Sequence, residues 1–345
     1  MEQKIYKKPI CIVLNVTSNK NKYVWGQSNQ RNRQSAFTNI MLKYFVLSYI
    51  IFFGFYSQSL AQPSQQLIDA EGVLVQTYKK ISRFASDSSN SAHNSHFITL
   101  LDSVLQIPES FLYPFADLQL GNVYAPDKTF RILSWNMIYS NGTYENFGFL
   151  QTYNKTTKKV TVYALKDKSK TMKTPMLAVC NPDLWYGASY YMICQKKYKG
   201  QILYTLIGWN PHSTFTQKKI IETLKFDKSG KPVFGFPTIE LKGKGFQRRI
   251  IFEYSSKNTM MLRYDEKKDL IVFDHLAPSD FRYEGVYEFY GPDFSIDAYK
   301  FERGKWRYMS DIDIRNPRQG IKDYIPRRIK VLFKKKQTSE NPLGL

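Results

Sequence analysis

Histidine occurs only four times in this sequence, as His93, His96, His212 and His275, and no two of them have the helical spacing of a zinc site. Glycine-rich phosphate loops are missing, and so is a serine flanked by glycines at a strand-to-helix turn. These absences exclude the common signatures of nucleotide binding, zinc hydrolysis and serine catalysis, and no metal or cofactor is expected. Cysteine occurs three times, at Cys11, Cys180 and Cys194, and no histidine lies near Cys180 or Cys194 in sequence to activate a thiolate. Acidic residues are few, with 29 Asp or Glu against 50 Lys or Arg. Long apolar runs are also scarce. The one from Tyr44 to Tyr56 is shorter than the roughly 20 residues that a membrane-spanning helix needs.

That run reads instead as the centre of a secretory signal. Lys43 precedes it, and Ser57 to Ala61 follow with small residues at Ser59 and Ala61, the pattern that a signal peptidase accepts before Gln62. Residues 41–61 are therefore expected to be a signal peptide, with an uncleaved N-terminal anchor as the other reading. Met41 is the expected initiator, and residues 1–40 a non-native or disordered leader. The product is expected in the periplasm or on the cell surface.

Removal of residues 1–61 leaves 42 basic against 28 acidic residues, a net charge of about +14. Such a charge favours acidic partners: envelope glycan, anionic lipid, or another envelope protein with an acidic face. Export argues against nucleic acid. Cys180 and Cys194 remain as an even pair, and in an oxidising compartment they can join in a disulfide or stay as two buried thiols.

Beyond Gln62 the chain divides by pattern. Residues 62–120 read as a helical segment, because Leu67, Ala70, Val73, Leu74, Tyr78 and Ile81 recur at threes and fours. The Ser/Asn-rich stretch from Ala85 to Ser95 reads as a loop, and a second helical pattern runs from His96 to Gln106. Residues 121–317 read as mainly β, an antiparallel meander of short Tyr-, Phe-, Ile-, Val- and Trp-rich strands broken by Asn, Gly, Asp, Lys and Pro. Among the expected strands are Ala188–Gln195, Ile202–Trp209, Leu270–Asp274 and Val286–Tyr290. A sandwich or barrel is the expected architecture.

Hairpins after Tyr153, Phe226, Tyr264 and Phe301 share a plan of aromatic residue, polar residue and a short turn carrying Lys or Arg. The last three start 38 and 37 residues apart, close to the length of a propeller blade, which keeps a small propeller as an alternative. Residues 318–345 form a basic tail in which Val331-Leu332-Phe333 precedes three lysines. It reads as a solvated terminus or as an attachment to an anionic surface.

Several phrases occur in order: Tyr113-Pro114-Phe115, Ala125-Pro126-Asp127-Lys128-Thr129-Phe130-Arg131-Ile132, Leu206-Ile207-Gly208-Trp209, Lys231-Pro232-Val233-Phe234-Gly235 and Tyr290-Gly291-Pro292-Asp293. From about Tyr113 to Pro317 the chain resembles a group of uncharacterised exported proteins of Bacteroidota. The resemblance implies a bacterial envelope protein, and it carries no activity or site residues.

Two groups of residues are candidates for function. Asp274, His275, Asp293 and Asp311, with Asp280, Asp297 and Asp313 around them, form the densest polar cluster, suited to hard-cation or acid–base chemistry or to the capping of turns. Trp185, Tyr186 and Trp209 lie where loops present aromatic faces to a sugar, or where cores take them up. The first expectation is a non-enzymatic binding or scaffold protein. The alternatives are a carbohydrate-binding module or glycan-active hydrolase, whose carboxylates share a cleft with Trp185 or Trp209, and attachment to an anionic membrane through the basic tail.

Overall fold

The computed structural model describes residues 64–82, 85–242 and 244–313. The leader (1–40), the signal (41–61) and the basic tail (318–345) read from the sequence lie outside them. All described residues belong to the unit Pro63–Leu345, and no described helix is long and apolar enough to cross a membrane.

Helix α1 (Gln65–Tyr78) buries Leu67, Glu71, Leu74 and Thr77 along one face. Helix α2 (Asp87–Leu105) corrects the expected loop, since it starts nine residues before His96. The Ser86 hydroxyl caps it by accepting the Ser89 N–H at 3.2 Å. Its inward stripe is Asn90, Asn94, Phe97, Leu101 and Leu105, so asparagines occupy the first two core positions. Both are satisfied there. Asn90 brackets the Ser82 backbone with bonds of 3.0 and 2.7 Å, and the Asn94 oxygen accepts the Trp135 indole N–H at 2.8 Å. A short 3-10 helix, Pro108–Leu112, leads to the strands.

Three sheets follow. The first is a meander of β1 (Gly121–Tyr124), β2 (Phe130–Ile138), β3 (Tyr144–Tyr153) and β4 (Val160–Lys166). The second comprises β5 (Ser189–Tyr198), β6 (Gln201–Asn210), β7 (Thr216–Phe226) and β8 (Pro232–Phe234). The chain then crosses to the third sheet with β9 (Ile239–Leu241) and β10 (Gly245–Gln247). It returns with β11 (Arg249–Ser255) to pair with β7, and completes the third sheet with β12 (Leu262–Asp265), β13 (Leu270–Pro278), β14 (Tyr290–Glu302) and β15 (Lys305–Met309). Among the described residues pairing is antiparallel except for two parallel bridges, Trp306 to Ile239 within the third sheet and the isolated Asp167 to Trp185.

Alternation along the strands stacks these elements in series. On β2, Leu133 and Trp135 face the helices while Phe130 and Ile132 face the second sheet. On β6, Leu206 faces the first sheet and Ile207 the third, and Ile220 and Ile221 on β7 divide in the same way. The second sheet is therefore covered on both faces, which is why β6 is buried without a break from Leu203 to Gly208. The architecture is a layered sandwich of helices and three mainly antiparallel sheets. Among the described residues the first and third sheets share no hydrophobic core, and no closed barrel or ring forms. The blade-like spacing thus reflects hairpins of similar length. One expected strand is also corrected: Tyr287–Phe289 is a 3-10 turn, and β14 begins only at Tyr290.

Candidate functional site

β13 and β14 pair in register from Leu270–Lys300 to Asp274–Ile296, and the register resumes at Leu276–Pro292. His275 alone thus opposes Asp293, Phe294 and Ser295, a bulge that turns one side chain out on each strand. Phe294 sits at a φ of 72° and is 99 % exposed. The His275 ring nitrogen Nδ1 lies 2.7 Å from Asp297 Oδ2. That carboxylate, 3 % exposed, also accepts the Tyr308 hydroxyl at 2.7 Å and the Asp311 N–H at 3.0 Å.

The sequence cluster is therefore only partly brought together. Asp311 contributes a backbone N–H at a φ of 51°, and it lies beyond β15, so it does not share a strand face with Asp313. Asp293 accepts the N–H and the hydroxyl of Ser295 at 3.0 and 2.7 Å. Burial raises the Asp293 pKa, but the Ser295 bonds and the nearby His275 outweigh it and hold the carboxyl below the usual carboxylate range. Asp274 faces away and accepts the Met261 N–H at 2.7 Å. The Asp274, Asp293 and Asp297 carboxylates are thus engaged in turns and a bulge. No group of three His, Cys, Asp or Glu among the described residues can hold a metal.

The aromatic candidates are corrected more sharply. Trp185 and Tyr186 are 0 % and 3 % exposed and belong to the core between the first and second sheets. Trp185 donates to the Tyr190 hydroxyl at 3.1 Å, and the Tyr186 ring lies 5.0 Å from the Arg249 guanidinium. Trp209 is half-buried on β6 and donates to Gln217 at 2.7 Å. Trp185 and Tyr186, being buried, present no face to a cleft with Asp274, Asp293 or Asp311. Cys180 and Cys194 are free thiols in different cores, with the second sheet between them, so the possible disulfide is not formed.

A second constellation emerges from the topology. Six hairpin turns, β1–β2, β3–β4, β5–β6, β7–β8, β12–β13 and β14–β15, fall at one end of the stack, and the β2–β3 and β6–β7 turns fall at the other. Contacts between turns fix this. Lys155 Nζ donates to the Asp127 carbonyl at 2.6 Å, and the Tyr204 hydroxyl to the Asp127 carboxylate at 2.5 Å. Tyr163 reaches the Gly230 carbonyl at 3.3 Å. Lys196 joins Asp269 in an ion pair and meets the Tyr264 hydroxyl at 3.0 Å. Gly304, at a φ of 82°, lies so close to the Tyr198 ring that a Cβ there would come within 2.7 Å of it.

Residues 125–129, 154–159, 196–201, 225–231, 265–269 and 302–305 make up this pole, with 14 Lys or Arg against six Asp or Glu. Asp127 and Asp265 are half-buried, whereas Asp227, Glu266, Asp269 and Glu302 are exposed and offset part of the basic excess. Asp227 accepts the Ser229 hydroxyl at 2.7 Å and backbone N–H groups at 2.8 and 3.0 Å, and the Ser229 bonds hold its carboxyl below the usual range. Asp265 accepts the N–H groups of Lys267 and Lys268, both at 3.2 Å. Lys158, Lys159, Lys197, Lys228, Lys231, Lys267 and Arg303 are exposed. Tyr198 and Ile202 stand among them, each 39 % exposed.

Two depressions open here, away from His275. One of about 790 Å³ is lined by Ile202, Tyr204, Lys225, Phe226, Val233 and Phe236 among others. The other, of about 390 Å³, lies between Pro126, Lys196 and Tyr264. The sequence shows the four look-alike hairpins and, in their spacing, a propeller repeat as an alternative; the signal that marks the site is the basic residue carried by each turn. No protein-family model, curated protein or solved structure matches this chain.

Proposed function

We propose that this is an exported, non-enzymatic binding protein of the cell envelope that docks through its hairpin pole on an anionic lipid surface. The convergence of six lysine-bearing turns at one end supports the reading. Each basic residue held near an anionic leaflet contributes on the order of 1 kcal/mol, so a handful of the 14 suffices for reversible attachment. Tyr198 and Ile202 favour lipid over acidic glycan, because an aromatic and an aliphatic side chain among lysines suit the interface between head groups and acyl chains. The engagement of the Asp274, Asp293 and Asp297 carboxylates in turns and a bulge supports binding without turnover.

Co-sedimentation of the full chain with vesicles, with and without an anionic phospholipid, tests this. Binding is expected only with the anionic lipid and is expected to weaken as salt rises. Equal binding to neutral vesicles refutes the docking. Turnover of a glycan or peptide that His275→Ala abolishes refutes the non-enzymatic part.

A further inference from the structure

We propose that the larger depression at the hairpin pole takes one acyl chain of an anionic amphiphile; this deepens the docking reading and rests on it. The floor and walls are apolar, formed by Ile202 and Tyr204 on β6, Phe226 on β7, Val233 on β8 and Phe236 just beyond. Ile202 is a large aliphatic side chain left 39 % exposed in a depression of about 790 Å³. A concave apolar surface of this size in contact with water is unfavourable unless something covers it.

Charge identifies what covers it. Lys225 lies at the mouth, its Nζ 4.7 Å from the centre of the Phe236 ring and 3.3 Å from Gln201 Oε1. Lys228 and Lys231 extend from the adjoining β7–β8 turn and Lys199 from the β5–β6 turn. Gly200 lines the depression, and a Cβ at that position would meet nothing within 4 Å, so the mouth is not walled on that side. Asp227 also lines the depression, with its carboxylate taken up by the Ser229 and Lys231 groups of its own turn, so an apolar floor beside Lys225 and the neighbouring lysines fits an alkyl chain that ends in a phosphate or carboxylate. A sugar would meet a floor with few acceptors, and a simple polyanion would leave the apolar floor uncovered.

The test uses the full chain and n-alkyl phosphates of increasing length below their micelle concentrations, followed by titration calorimetry. Complete burial of a methylene strengthens binding about fourfold. The depression is open on one side, so about twofold per methylene is expected until it is filled. Ile202→Gln, at a half-exposed position, is expected to flatten this dependence and leave salt-sensitive vesicle binding largely intact. Affinity for alkyl phosphates that does not vary with chain length in the unaltered protein overturns the proposal, whatever the variant does. Vesicle binding without chain-length dependence leaves the docking reading standing and removes the groove. Chain-length dependence without salt-sensitive vesicle binding upholds the groove and removes the docking reading.

Discussion

Replacing Glu222 with Leu strands a cation in the core. Glu222 on β7 and Arg249 on β11 are register partners, and both side chains are 0 % exposed. Arg249 Nε donates to Glu222 Oε1 at 2.7 Å, and its remaining donors reach Glu222 again, the Pro175 carbonyl and the Cys180 sulfur. The other Glu222 oxygen accepts the Tyr190 hydroxyl. Glu222→Leu removes the one carboxylate that pairs with that guanidinium among the described residues and leaves Tyr190 without its acceptor. Breaking a buried pair from one side costs about 3–5 kcal/mol, a fifth or more of the ~5–15 kcal/mol that holds a native domain together. For a unit of this size the melting point should fall by about 2–4 °C per kcal/mol. Urea unfolding should show a lower midpoint with an unchanged slope. Adding Arg249→Met removes the stranded charge, so the double variant should recover at least half of the loss. A single variant within about 1 kcal/mol of the native protein, or a double variant no more stable than the two losses added, would refute this account of the pair.

Other consequences are as direct. Asn94→Leu should destabilise by about 1–3 kcal/mol, because it orphans the buried Trp135 indole N–H; urea unfolding measures it. Gly187→Ala should cost a similar amount, since its Cβ would collide with the Asp167 carboxylate, which is tied to the N–H groups of Asn146, Ser169 and Gly187. Burial pushes the Cys194 thiol and the Tyr254 phenol each up to about 12. Raised acid pKa values mean that the folded state keeps protons which the unfolded chain releases, so stability is intact below the ordinary thiol pKa near 9. It should then fall as pH rises from about 9 towards 12, by up to about 1.4 kcal/mol per pH unit for each such group. Denaturant titrations at successive pH values check the slope. A thiol reagent should label Cys180 and Cys194 only after unfolding.

Period carried the sequence reading as far as it went. α1 showed in the spacing of Leu67, Val73 and Leu74, and β6 in the run from Ile202 to Trp209. The start of α2 was hidden because Asn90 and Asn94 fill core positions through hydrogen bonds to Ser82 and Trp135, partners that the local sequence does not reveal. β1, β9 and β10 are too short to show alternation. The neighbourhood of His275 and Asp297 was legible as composition, whereas the burial of Trp185 and Tyr186 follows from sheet stacking, which no local pattern records. The lysines were visible in every hairpin; only the topology gathers them at one end.

The most direct measurement is vesicle binding of the full chain against Lys158→Glu/Lys228→Glu/Lys267→Glu, three exposed positions on three separate hairpins. Exposed substitutions of this kind should each change stability by less than about 0.5 kcal/mol, and urea unfolding verifies that the fold is kept. At about 1 kcal/mol for each lysine removed, with reversal adding to it, affinity for anionic vesicles should fall at least about a hundredfold. A folded triple variant that binds anionic vesicles as tightly as the native chain would contradict the account.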